Sequence, residues 1–126
     1  MTAMHHQKLS HAPVERRLVI VQHRPVLMDW DLARLLALPL GRLRGLVWEY
    51  YEQFPGELCF HPEAHELPVE RRQPHASAFT EQGVWMIATV LGTRAALELA
   101  MTMSRACAAC REQRRFSVAP EPAAYR

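Results

Sequence analysis

The sequence predicts a small α+β domain with two or three short strands, a pair of short helices and two longer packed helices. Three observations lead there. Leu18-Val19-Ile20-Val21 is a β-branched run followed by a turn. Two short apolar-periodic stretches flank Pro39, a residue that ends one helix or opens the next. Beyond Thr80 an apolar helical pattern runs to Leu91, stops at Gly92 and resumes after Thr93.

A chain of 126 residues is expected to form one domain. The polar stretch before Val14 and the Pro-bearing end after Phe116 divide it into a flexible arm (1–15), a folded unit (16–115) and a flexible tail (116–126). A hydrophobic content of 49% and a charged content of 22% are ordinary for a globular protein. No apolar run reaches the roughly 18 residues of a spanning helix, and no signal-peptide pattern opens the chain. No membrane partner and a cytoplasmic location are therefore expected. Three cysteines fit reduced thiols, not a disulfide framework.

In chain order, Leu18 to Val21 reads as a strand, His23-Arg24-Pro25 as a turn and Val26-Leu27-Met28 as a second strand. Asp29 is expected to cap a helix with Asp31 in its first turn and Leu32, Leu35 and Leu36 on its buried stripe. The second helix of the pair is expected from about Leu40 to Tyr51, with Leu43, Leu46, Val47 and Tyr50 inward. Two short helices joined by a tight turn make a helix-turn-helix-like unit. Leu58-Cys59-Phe60-His61 reads as a strand, and Pro62 to Pro74 as a loop or short hairpin comparable to a wing. The unit is winged-helix-like in this sense.

The best-specified local structure is the start of the next helix. Thr80 stands at the N-cap, Phe79 and Val84 at the two positions of a hydrophobic staple, and Glu81 in the first turn. Gly83 costs roughly 1 kcal/mol against Ala inside a helix, so another backbone is expected close to it. Thr93 is expected to cap the last helix, about Arg94 to Arg114, whose face is marked by Leu97, Ala100, Met101, Ser104, Cys107 and Ala108.

Phe79-Thr80-Glu81-Gln82-Gly83 before an apolar helix resembles the KilA-N superfamily, in its phage ORF-six N-terminal branch. Met28-Asp29-Trp30-Asp31-Leu32-Ala33, Phe54-Pro55-Gly56-Glu57-Leu58-Cys59-Phe60 and Val90-Leu91-Gly92-Thr93-Arg94-Ala95-Ala96 resemble further family motifs in the same order. The resemblance implies a DNA-binding regulator of phage or prophage type, a transcription regulator or antirepressor-like protein. The chain departs from the family at the end of the second helix. There a Lys-Arg-Asn stretch is replaced by Trp48, Glu49 and Tyr50, and before it Leu40-Gly41 replaces a Thr-Lys pair.

Lys8 is the only lysine, so the basic residues are almost all arginines, which suit forked contacts to phosphate and guanine. Candidate contacts to double-stranded DNA are Arg42 and Arg44 on the second helix, Arg71 and Arg72 on the wing, and Arg24, with Arg16 and Arg17, near the first strand. The alternative is a protein-interaction module that kept the fold and lost the groove contacts. Residues 45–70 carry Glu49, Glu52, Glu57, Glu63, Glu66 and Glu70 with no Lys or Arg, and such a run repels phosphate. On that reading Trp48 and Tyr50 anchor a partner, whereas the ordinary outcome for a helix aromatic is that Trp48 closes the core beside Tyr51. A homodimer would suit paired half-sites, with the last helix as its interface.

Cys107-Ala-Ala-Cys110 and His61-Pro-Glu-Ala-His65 have spacings that a zinc site can use. Both cysteines lie within an apolar helix pattern, which favours buried structural thiols, and adjacent His5 and His6 fall on the arm. No Gly-rich phosphate loop, H-E-x-x-H or Ser/Cys with a nearby base occurs. No catalytic residue, metal or cofactor is assigned, and the chain is not read as an enzyme.

Overall fold

A computed structural model of the chain describes residues 12–118. Most of the expected arm, including His5 and His6, and the end of the expected tail lie outside the described residues. The order is helix α1 (Ala12–Arg17), strands β1 (Val19–Val21) and β2 (Arg24–Met28), helices α2 (Asp29–Leu35) and α3 (Leu40–Glu49), and strand β3 (Cys59–Phe60). Strand β4 (Ala78–Thr80) and helices α4 (Glu81–Leu91) and α5 (Arg94–Val118) follow. The α+β class holds, with helix pairs α2–α3 and α4–α5 each packed together.

Two boundaries differ from the sequence reading. Structure begins by Ala12, because Val14 is buried in the main core and anchors a helix too short to show periodicity. At the other end α5 continues through Val118, past the expected limit near Arg114.

The sheet is antiparallel throughout, in the order β1-β2-β4-β3. Gln22 and His23 form the β1–β2 turn, both at positive φ (54° and 68°), as the twist of a two-residue hairpin requires. The turn thus precedes Arg24-Pro25, which belongs to β2. Pro25 sits opposite Ile20, one pair beyond the closing pair Val21–Arg24. In an alternating ladder its nitrogen faces away from β1, and β4 ends at Thr80 opposite Val26, so Pro25 interrupts no ladder.

Strand alternation gives the sheet two packed faces. Leu27, Phe79 and Cys59 face the helices, in a core with Leu32, Leu43, Val84, Ile87, Ala100 and Met103. Val26, Met28, Ala78 and Phe60 face the other way, under Leu67 and Ala76 of the 61–77 segment. That segment is no wing hairpin. It carries two single-turn 3-10 helices, Ala64–Glu66 and Val69–Arg71, and folds back as a cover because its apolar residues have a sheet face to bury.

Helix α2 starts at Asp29, but Met28 is the N-cap residue and no side chain caps it. The Asp29 carboxylate is turned instead to Ser77 N and Arg44. The α2–α3 turn closes with Leu38 N bonding Ala33 O and Ala37 N bonding Arg34 O, with Ala37 at φ 58° where glycine is usual. Helix α3 ends at Glu49, and Leu43 is its only fully buried residue. Tyr50 is exposed, not inward.

The α4 start behaves as its sequence indicates. Thr80 Oγ1 accepts from Gly83 N at 3.2 Å, and Gly92 ends the helix at φ 66°. Thr93 Oγ1 accepts from Ala96 N at 3.2 Å at the start of α5. The buried stripe of α5, however, is Ala96, Leu99, Ala100, Met103, Ala106 and Cys107, with Leu97 and Met101 exposed. The small residues turn inward because α1 and α4 lie close against this helix.

Gly83 is where backbones meet. A Cβ there would overlap the Leu58 carbonyl oxygen and sit 3.0 Å from its carbon. Gly83→Ala is expected to lower stability by about 1–3 kcal/mol despite the better helix propensity of Ala. A reduced midpoint in urea unfolding, at unchanged slope, checks it.

Candidate interaction surface

Two aspartates in the first turn of α2 organise the surface. Both are buried, and each is met by arginine from another segment. Arg44 of α3 donates from Nε to Asp29 Oδ2 at 3.1 Å, with Nη2 at 3.0 Å from the same oxygen. Ser77 N donates to that oxygen at 3.3 Å. Arg17 of α1 donates from Nη1 to Asp31 Oδ1 at 3.2 Å. Arg71 Nε lies 3.2 Å from Asp31 Oδ2 without the alignment to donate to it, and its guanidinium stands 5.8 Å from the Trp30 ring centre.

Burial raises the Asp31 carboxyl above its ordinary value of 3.8, and Arg71, Arg17 and Arg34 offset this only in part. Asp31 is therefore a costly internal charge held by its arginines, and removing one of them exposes that cost.

These pairings sort the arginines singled out in the sequence. Arg71 was expected on an outward wing, but its side chain is only 17% exposed and is committed to Asp31. Arg17 is committed likewise. Arg44 is anchored on Asp29 with 41% of its side chain still accessible. Arg72 donates from Nε to Leu67 O at 2.9 Å. Arg24 lies with its guanidinium 4.8 Å over the Phe60 ring. Arg42 is exposed and has no partner among the described residues. Arg71 and Arg17 are thus held by Asp31, while Arg16, Arg42, Arg44 and Arg72 are exposed.

The other set does come to the surface. Trp48 is 80% exposed and Tyr51 64%, their rings stacked at 6.3 Å with 28° between planes. Tyr51, not Tyr50, is the ring beside Trp48. Their i, i+3 spacing is legible in the sequence. That they look outward is not, because it depends on α3 packing on the core through Leu43, Leu40 and Val47. Both rings line a hollow of about 450 Å³ together with apolar residues (Val47, Cys59, Phe79) and polar ones (Asp29, Arg44, His61, His75, Ser77).

The thiols and histidines do not assemble into a metal centre. Among the described residues no three His, Cys, Asp or Glu side chains are placed to hold an ion. Burial, then Glu81, pushes the Cys107 thiol up to about 12, and burial, then Asp29, pushes Cys59 up to about 11. Neither supplies a thiolate near neutral pH. His61 Nδ1 is 3.2 Å from Ala76 O and 3.3 Å from Ser77 Oγ.

No described helix is long and apolar enough to cross a membrane. In comparisons with family models, curated proteins and solved structures, nothing matches the chain.

The arginine assignments have separable consequences. Arg71→Ala leaves Asp31 with one close arginine and is expected to cost about 2 kcal/mol, whereas Arg42→Ala is expected to stay within about 0.5 kcal/mol. Thermal denaturation of the two variants distinguishes them.

A pH dependence follows as well. Because the folded-state pKa of Asp31 is raised, this carboxyl holds more proton in the folded protein than in the unfolded chain from pH 3.8 up to that raised value. The contribution of Asp31 to stability falls as pH rises through this window. Asp31→Asn is expected to flatten that part of the curve of unfolding free energy against pH.

Proposed function

We propose that this domain is a KilA-N-like scaffold of phage or prophage regulatory type that acts by holding a protein partner on Trp48 and Tyr51. The observation that carries the reading is the stacked, outward aromatic pair at the end of α3, where the family it resembles places basic residues. A tryptophan this open contributes nothing to the core and leaves a large apolar area in water, as anchors at interfaces do. Glu49 and Glu52 beside it are exposed and disfavour a phosphate backbone at the same place.

A second reading, DNA binding, is supported by Arg42. Its side chain is exposed, has no partner among the described residues and lies on the second member of the helix pair. With Arg42, Arg16 and Arg72 exposed and Arg44 partly so, a duplex would gain at most about four phosphate contacts from these positions. The slope of log affinity against log salt would be about −1 to −4, below the roughly −6 to −9 of a protein making many contacts.

One pair of measurements separates the readings. Trp48→Ala with Tyr51→Ala should leave the melting temperature unchanged and abolish capture of the protein partner. Arg42→Ala should leave capture intact. The reverse pattern, with a mixed duplex pool shifted in a gel by the parent and the aromatic variant but not by Arg42→Ala, would establish the DNA reading instead.

A further inference from the structure

We infer that the partner segment docking at Trp48 and Tyr51 is basic, and that an arginine or lysine side chain of it lies against the two rings. The inference rests on the protein-partner reading and names the chemistry of that partner. Charge is the first observation. Glu49 and Glu52 adjoin the two aromatic residues in the chain, are exposed, and have no ion-pair partner among the described residues. Glu63 is exposed at a neighbouring hollow that shares His61 and His75 with the first. Residues 45–70 contain no Lys or Arg to balance them. Arg44, the nearby cation, is already matched by Asp29.

The rings are the second observation. The face of an indole is the best aromatic partner for a cation, and arginine is the cation most often found there. Trp48 and Tyr51 together present an open aromatic surface, and the exposed Glu49 and Glu52 follow them directly in the chain, a combination that attracts a guanidinium or ammonium and repels phosphate. The hollow they line supplies the third. Val47, Cys59 and Phe79 are among its lining residues and suit the aliphatic stem of a long basic side chain, whose charged head then stays near the rim.

The test uses the full chain and a fluorescently labelled twelve-residue peptide of alternating Arg and Ser, against the same peptide with citrulline for arginine. Citrulline keeps the shape and removes the charge. Anisotropy titration should show the arginine peptide binding at least about tenfold tighter than the citrulline peptide, with affinity falling as salt rises. Trp48→Ala should weaken arginine-peptide binding about five- to tenfold, and Glu49→Gln with Glu52→Gln by a similar factor. All three positions are exposed, so folding is not at risk. Equal affinity for the two peptides, or an arginine peptide indifferent to Trp48→Ala, overturns the inference.

A competition arm separates this failure from failure of the parent reading. If the Trp48-dependent protein partner is captured and the arginine peptide does not displace it, the interaction surface stands and its basic occupant is refuted. If the peptide displaces it, both are supported. Tight binding of duplex DNA that survives Trp48→Ala, with no Trp48-dependent protein captured, refutes both.

Discussion

The fold depends on a close approach between the backbone at Glu57-Leu58 and the junction of β4 with α4. Thr80 Oγ1 donates to Glu57 O at 2.8 Å while accepting from Gly83 N, and Thr80 N donates to Leu58 O at 3.0 Å. One residue thus ends a strand, caps a helix and ties down the segment that becomes β3. The absence of a side chain at Gly83 is what lets Leu58 come this near. With β3 and β2 both paired to β4, the short strands acquire a common register that none could hold alone.

Around that junction, α2 carries the charge that decides how the surface is used. Asp29 and Asp31 lie on the first turn, where negative charge suits the helix dipole, but burial withdraws their water. Arginines must replace it. Arg17 comes from α1, Arg44 from α3 and Arg71 from the 61–77 cover, so the two carboxylates stitch three segments to α2. The same stitching takes Arg17 and Arg71 out of service as groove contacts. Three of the arginines singled out in the sequence, Arg17, Arg44 and Arg71, are thus held by internal aspartates.

Helix α3 shows the complementary effect. It buries Leu43 fully and packs Leu40 and Val47 in part, has two exposed glycines, and leaves Trp48 in water near its end with Tyr51 just beyond it. The groups it presents are aromatic and acidic at its C-terminal end, with Arg42 near its start. The proposed protein partner and its basic segment follow from that distribution.

Much of the local structure was legible in the sequence. The Thr80 cap, the Gly92 stop, the Thr93 cap and the close approach at Gly83 follow from short-range physics: hydroxyl to amide, positive φ and the missing side chain. The pairing of Trp48 with Tyr51 was legible as a spacing. What was not legible involved partners far apart in the chain. The fourth strand exists because β2 and β3 flank Ala78–Thr80, and the short α1 exists because Val14 reaches the core. The inward stripe of α5 is set by its packed neighbours, so it passes through alanines and leaves Leu97 and Met101 out.

The sequence by itself determined the α+β class and the caps that bound α4 and open α5, since those depend on residues within one turn of each other. Only the tertiary structure decided which arginines are free and which aromatic residues face water. A side chain's availability is set by whichever distant charge or surface reaches it first, and for Arg71 that was Asp31.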